Sequence, residues 1–341
     1  MADGGMVPAP LAVTMGEPAG IGAEIAFKAW MGRHEAPVPP FFLIDDPDRL
    51  AALARHLQWS IPIRPIDRAA ETGPLFEEAI PVLPEPLPGP PVIGTPDPAN
   101  APAVIASIER AVALVQAGDA GGVVTNPIQK SSLYDAGFRF PGHTEFLADL
   151  SGAEDAPIML LSTPELRVVP VTVHLSLGDA VRALTTDAIC HAAVVTARAL
   201  RRDFGVGNPR LSVAALNPHA GEGGALGQEE IEIIIPAVER LKGLGMAVDG
   251  PHPADTLFHE RARVTYDAAI CMYHDQALIP LKTIDFDRGV NVTLGLPIVR
   301  TSPDHGTALA IAGKGIANQA SFAEALRLAD RMSRSRAIHP A

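Results

Sequence analysis

Through most of the chain, short runs of consecutive apolar residues alternate with stretches whose apolar residues recur every three to four positions. The runs Leu11–Met15, Phe41–Ile44, Gly122–Thr125, Ile158–Leu161, Val168–His174, Leu211–Leu216, Ala268–Tyr273 and Val290–Leu294 read as strands. Between them, Ala101–Gln116, Ala188–Phe204, Glu229–Leu244 and Phe322–Met332 carry the helical period. Strand–helix alternation predicts βαβ units on a mostly parallel sheet, hence an α/β fold. Strands apolar at every position, rather than at alternate ones, predict a sheet covered on both faces. One stretch breaks the rhythm: Ile61–Asn100 holds eleven of the 33 prolines. Leu75, Phe76, Ile80 and Val82 within it favour an irregular connection packed on a domain over a flexible tether.

Composition narrows the picture. A chain of 341 residues has room for about two domains. With 47% hydrophobic and 19% charged residues it can bury a large core, which excludes intrinsic disorder as a global state. The net charge of −12 opposes general binding to polyanions but leaves room for a local basic pocket holding one phosphate. Cys190 and Cys271 show no CxxC spacing, so a disulfide framework and a cysteine zinc site are excluded. No apolar run reaches the roughly 18–20 residues of a membrane span, and Met-Ala-Asp-Gly-Gly does not open a secretory signal. The expected location is the cytoplasm.

Three of the eleven histidines share a local grammar. His174 closes Val-Pro-Val-Thr-Val, His219 follows Leu-Ser-Val-Ala-Ala-Leu-Asn-Pro, and His274 follows Ala-Ala-Ile-Cys-Met-Tyr. Each stands where an apolar strand runs out, and in a parallel sheet those ends share one edge, where ligands bind. Taken singly each is read as a structural histidine; taken together they can hold a divalent metal with positions left open for substrate. Asp255, after a Gly-Pro-His-Pro turn, is either a helix cap or a carboxylate working beside such a metal. Gly16 to Gly22 follows the first strand in the spacing G-x-x-x-G-x-G, which is not the dinucleotide fingerprint, and Gly313-Lys314-Gly315 is not a P-loop. His143 and Thr144 stand at an expected helix start, where free N–H groups welcome an anion. Lys282, Asn291 and Arg300 lie in apolar, strand-like segments; internal ion pairs with Asp285 or Asp304 and a small anionic substrate both account for such cations.

Longer motifs carry a resemblance. Thr125-Asn126-Pro127 with Lys130, Pro141-Gly142-His143-Thr144-Glu145-Phe146, Leu216 to Glu222, Pro253-Ala254-Asp255-Thr256, Met272 to Gln276 and the run Gly289–Gly315 resemble the 4-hydroxythreonine-4-phosphate dehydrogenase family, over roughly Leu11 to Leu328. The resemblance implies two α/β domains around a cleft, like isocitrate and isopropylmalate dehydrogenases and unlike a Rossmann domain. The first domain would be 1–125 with about 300–341, on the cofactor side. The second, 126–299, would carry metal and substrate residues and a homodimer interface at which the active site lies. It further implies His174, His219 and His274 as ligands of one divalent metal (zinc, magnesium or cobalt), and His143, Thr144, Lys282, Asn291 and Arg300 as substrate contacts. Gly20, Gly22, His305, Gly306 and Thr307 would lie on the NAD or NADP side. Asp255 is the candidate base, Asp275 its alternative, and Lys282 is a further catalytic candidate.

The implied reaction is oxidation of 4-phosphooxy-L-threonine at C3 followed by decarboxylation, a step of pyridoxal phosphate synthesis. Dehydrogenases of 4-phospho-threonate or 4-phospho-erythronate share the wider motifs, although Asp275 to Lys282 favours the pyridoxine-pathway members. A metal-dependent hydrolase would use the same three histidines without nicotinamide. A catalytically silent metal and anion binder is the remaining alternative. No partner is expected among nucleic acids or membranes.

Overall fold

The computed structural model describes residues 9–140 and 142–339; Pro141 and the N-terminal Met1–Gly5 read above lie outside the described residues. Its twelve strands are β1 (Leu11–Thr14), β2 (Phe41–Asp45), β3 (Ile63–Pro65), β4 (Ile80–Pro84), β5 (Gly122–Val124), β6 (Ile158–Ser162), β7 (Arg167–Thr172), β8 (Arg210–Ala214), β9 (Ala247–His252), β10 (Ala268–Tyr273), β11 (Val290–Leu294) and β12 (Arg300–Pro303). The chain packs into two compact units, residues 1–153 with 296–334, and residues 154–295 with 335–341. Both are α/β, as the alternation predicts.

In the first unit six parallel strands run in the order β3-β4-β2-β1-β5-β12. Every residue of β1 and β2 is buried, which is why Leu-Ala-Val-Thr and Phe-Phe-Leu-Ile-Asp are apolar almost throughout. Burial of one such Phe stabilises by about 1.5–3 kcal/mol relative to exposure. A polar group survives in this core because its bonds are made: Ser107 Oγ accepts from Met15 N at 2.9 Å and donates to Ile44 O at 2.8 Å. The proline-rich stretch, in which 85–97 forms no helix or strand and is mostly exposed, is packed and regular only in its first half. It supplies β3 and β4, with β3 at the edge, where a missing backbone donor is tolerated.

The first crossing between units falls after Ala153, not near residue 125 as expected from the sequence. The helices Lys130–Asp135 and His143–Ser151 belong to the first unit because their apolar side chains join its core. Phe138, Phe140 and Phe146 pack ring against ring with centroids 5.0–5.5 Å apart, beside buried Leu133, Leu147, Leu296 and Ile298.

In the second unit the order is β11-β6-β7-β10-β8-β9, antiparallel from β11 to β7 and parallel from β7 to β9. Its core gathers Leu161, Val168, Ala214, Ala269, Cys271 and Leu281. Both cysteines are free thiols in buried positions.

Candidate active site

The parallel strands β7, β10 and β8 are neighbours in the second unit, and each delivers one of the three singled-out histidines just beyond its carboxyl end. His174 follows β7, His274 opens the helix His274–Ile284 directly after β10, and His219 lies in the turn after β8. The His174 and His274 rings stand 6.1 Å apart between centroids. Asp275 Oδ1 accepts from His274 Nδ1 at 2.7 Å, which fixes the orientation of the ring. Thr172, His174, Tyr273, His274 and Asp275 line a cavity of about 230 Å³.

His219 does not join this pair. Among the described residues no three His, Cys, Asp or Glu side chains are gathered closely enough to hold a metal ion. Two imidazoles and an orienting carboxylate suit a divalent cation in donor chemistry, and the third imidazole is exposed on its own turn. That turn is unusual: His219, Ala220, Gly221, Glu222 and Gly223 all have positive φ, between 43° and 75°. Left-handed backbone costs roughly 1–2 kcal/mol for each residue carrying a Cβ, and three of the five carry one. The segment entering the turn is bonded to Glu230, whose Oε1 accepts from Leu216 N at 2.8 Å and Asn217 N at 2.7 Å. Its Oε2 accepts from Asn217 Nδ2 at 2.9 Å, and Glu229 Oε2 takes the same amide at 2.7 Å.

The helix His274–Ile284 is anchored by buried Gln276, whose Oε1 accepts from Met272 N and whose Nε2 donates to Ala215 O, both at 2.7 Å. Asp255 and Asp275 line one cavity of about 430 Å³ with Tyr273 and Gln276. Lys282, two turns along the helix from His274, lines another of about 460 Å³ with His274 and Asp275, its Nζ 5.7 Å from the centre of the Phe286 ring. Asn291 sits half-buried on β11 opposite Leu161 of β6. His174, His274 and Asp275 thus stand at the N-terminal end of the helix His274–Ile284, with Asp255 beside it across one cavity and Lys282 in its last turn.

The first unit assembles a cationic site. Arg300 on β12 is only 4% exposed, and its Nε and Nη2 donate to Thr125 Oγ1 at 3.2 and 2.7 Å. Burial pulls its guanidinium down to about 10, so it stays charged at neutral pH. His143 opens the helix His143–Ser151, whose N-cap Gly142 offers no side chain to the free N–H groups. Burial first, then the charges of Arg300 and Lys130, hold the His143 imidazole well below its ordinary value. Its Nε2 is buried with no hydrogen-bond partner among the described residues. Thr144 follows on the same first turn, half-buried. Lys130 Nζ lies 3.5 Å from where a Cβ on Gly142 would stand. Two cations, a neutral imidazole and an uncapped helix start suit a phosphoryl or carboxylate group.

The loop Gly16–Gly22 packs against Asn126 and Thr307. A Cβ on Gly20 would stand 2.9 Å from Thr307 O, and one on Gly22 2.9 Å from Asn126 Cγ, so contacts within the chain already require both glycines. Gly306, by contrast, has open space around it. His305 Nε2 is buried without a hydrogen-bond partner among the described residues, and its Nδ1 lies 3.0 Å from Gly306 O. Fully buried Glu24 accepts from Gly313 N and from Gly315 N and so fixes the neighbouring glycine-rich loop.

Sequence reasoning gave no role to Glu230, Glu229, Gln276 or Glu24, which position loops and helix starts. Each is a polar side chain within an otherwise apolar helical pattern. A buried acid or amide there signals a backbone partner, but which backbone is decided by the fold.

Residues 38–329 match the family described as pyridoxal phosphate biosynthetic protein PdxA. The chain is 52% identical over 338 residues to the 4-hydroxythreonine-4-phosphate dehydrogenase of Caulobacter vibrioides, covering 98% of this chain and 100% of that protein. It is 52% identical over 334 residues to the protein of the same name from Bradyrhizobium diazoefficiens, covering 95% and 97%. The crystal structure of 4-hydroxythreonine-4-phosphate dehydrogenase from Klebsiella pneumoniae superposes with a TM-score of 0.86 at 38% identity, covering 95% of this chain and 99% of that one.

Proposed function

The chain belongs to the pyridoxal phosphate biosynthetic protein PdxA family, and from that membership we propose how its residues carry out the reaction. The substrate is 4-phosphooxy-L-threonine. Its C3 hydroxyl is oxidised with NAD or NADP to 2-amino-3-oxo-4-phosphooxybutanoate, which loses carbon dioxide to give 3-amino-2-oxopropyl phosphate. The observation that carries this reading is relatedness over the full length, at about half the residues, to dehydrogenases named for this substrate. Cytoplasmic work suits the reading; among the described residues no helix is long and apolar enough to cross a membrane.

His174, His219 and His274 would hold one divalent cation, and Asp275 fixes the His274 ring through Nδ1. A divalent cation held there would supply Lewis-acid chemistry at the C3 hydroxyl and the ketone, and NAD or NADP would supply the hydride acceptor. Asp255 takes the hydroxyl proton; Asp275, already bonded to His274, is the alternative acceptor. His143, Thr144, Lys282, Asn291 and Arg300 are assigned to the phosphate, carboxylate and polar groups of the substrate. A neutral His143 offers Nε2 to the substrate without adding charge. The cofactor is assigned to the first unit, along His305, Gly306 and Thr307 with the Gly20–Gly22 loop; the open space at Gly306 supports this. Zinc, magnesium and cobalt all suit the imidazole set in part, zinc and cobalt best.

The working form is a homodimer with the active site at the subunit interface. Two features support it: His219 does not gather with the other imidazoles within one chain, and Leu175, Ile279 and Phe286 beside the site are 49%, 63% and 75% exposed. Sedimentation of the wild type against Ile279→Asp tests this, and a wild type that sediments as a monomer at micromolar concentration refutes it.

The activity test follows absorbance of reduced nicotinamide with 4-phosphooxy-L-threonine, NAD or NADP and added divalent metal, with and without chelator. Metal-dependent reduction is expected, and its absence overturns the reading. 4-Phospho-threonate and 4-phospho-erythronate in parallel arms decide the substrate class.

A further inference from the structure

We propose that Glu230 is a positioning residue for the reaction, holding the turn Asn217–Gly224 in the left-handed path that presents His219. The proposal rests on the reading of His219 as a metal ligand, but its geometry stands apart from that reading. Glu230 is 2% exposed, and its carboxylate makes three hydrogen bonds to the segment Leu216–Asn217 just ahead of His219. No long-range requirement of the core explains a carboxylate at this point, since the helix it opens packs through Ile234, Ala237, Val238 and Leu241.

Two local departures from regular structure bring the carboxylate to the turn. Glu230–Ile234 is a π-helical turn rather than an α-helical one, although the sequence pattern reads as a continuous helix from Glu229. Such widened turns re-aim a side chain that an α-helix would direct elsewhere. Two glycines also clear the space. A Cβ on Gly221 would stand 2.6 Å from Glu230 Oε2, and a Cβ on Gly227 would stand 2.3 Å from Asn217 Nδ2 and 2.6 Å from Glu229 Oε2. Gly221 and Gly227 have φ of +75° and +136°, so both space and backbone conformation exclude a side chain there.

The consequence is a turn whose entry, at Leu216 and Asn217, is fixed chiefly by one acid. Non-glycine residues His219, Ala220 and Glu222 remain left-handed only while surrounding bonds over-determine them. Without Glu230 the backbone N–H groups of Leu216 and Asn217 lose their acceptor, the turn relaxes, and His219 is presented in many orientations. A ligand held in many orientations binds metal weakly, because the ordering must then be supplied on binding.

The experiment compares wild type, Glu230→Gln, Glu230→Ala, His219→Ala and, as a charge control on an exposed neighbouring position, Glu232→Ala. Hydrogen exchange of the metal-free full-length protein reads the turn directly, and isothermal titration with Zn²⁺ reads the presentation of the ligand. Thermal unfolding checks that each variant folds. Glu230→Gln and Glu230→Ala are expected to speed exchange of amides 216–224 and weaken zinc binding about 10–100-fold, the range typical for residues that orient ligands. Glu232→Ala is expected to change neither. Wild-type exchange and wild-type zinc affinity in both Glu230 variants overturn the proposal. Should His219→Ala keep full zinc affinity, the ligand assignment of His219 fails instead, and the exchange data still decide whether Glu230 shapes the turn. Folded Glu230 variants with fast exchange but unchanged zinc affinity also refute the proposal, since Glu230 would then brace a loop without positioning a ligand.

Discussion

Replacing His143 by Gln should change how stability depends on pH. In the folded chain burial, with the charges of Arg300 and Lys130 adding to it, holds the imidazole well below its ordinary value. In the unfolded chain it titrates near about 6.5. Between those two values the unfolded chain takes up a proton that the folded chain refuses. Stability from this group is therefore fully present above about pH 6.5 and is lost as pH falls below it. At pH 5.5 the loss is about 1.4 kcal/mol, and it grows by about 1.4 kcal/mol for each further unit until the folded imidazole protonates. Gln keeps polarity and approximate length without titrating. Urea unfolding at pH 5.5 and 7.5 is the assay, and subtracting variant from wild type removes the contribution of the other ten histidines. The wild type should lose about 1.4 kcal/mol more than the variant on acidification. Equal losses would show that His143 titrates normally in the folded chain, and the picture of a neutral imidazole between two cations would be wrong.

Three other outcomes follow from the same geometry. Thr125→Val removes the acceptor of two guanidinium hydrogen bonds in a buried setting; thermal unfolding should show about 2–3 kcal/mol lost, and KM for the substrate should rise more than kcat falls. An unchanged KM would argue that Arg300 serves only the fold. Asp275→Asn exchanges the acceptor at His274 Nδ1 for an amide; divalent metal affinity by titration should fall about 10–100-fold, and an affinity within threefold of wild type would remove Asp275 from the site. Gly22→Ala forces a Cβ to within 2.9 Å of Asn126 Cγ; urea unfolding should report about 1–3 kcal/mol of destabilisation, whereas a neutral result would mean that the Asn126 side chain can give way.

The candidate residues divide by how their neighbours are encoded. The placement of His174, His219 and His274 beyond strand ends was legible because each follows a strand whose apolar run is local, and strand ends in a parallel sheet share an edge. Gln276, Glu24 and Glu230 were not, because the backbone each binds is remote or turns back through an irregular path: Gln276 reaches Ala215, and Glu24 reaches Gly313 and Gly315. In the proline-rich stretch, prolines at 62, 65, 81 and 84 disguised β3 and β4. Their strand character comes from pairing, β4 with β2 and β3 with β4, not from their own pattern.

By itself the sequence determined the alternation of strands and helices, the burial of both sheet faces and the chemical types gathered in the longer motifs, since these follow from side-chain period and composition. Only the tertiary structure decided that His174 stands beside His274 while His219 is held apart on a left-handed turn. It alone decided that Phe138, Phe140 and Phe146 bring His143 into the same unit as Arg300. The physical reason is the same in each case. A residue's local conformation is set by its near neighbours in the chain, but which strand lies beside which, and which charge faces which ring, is set by how segments a hundred residues apart bury their apolar faces together.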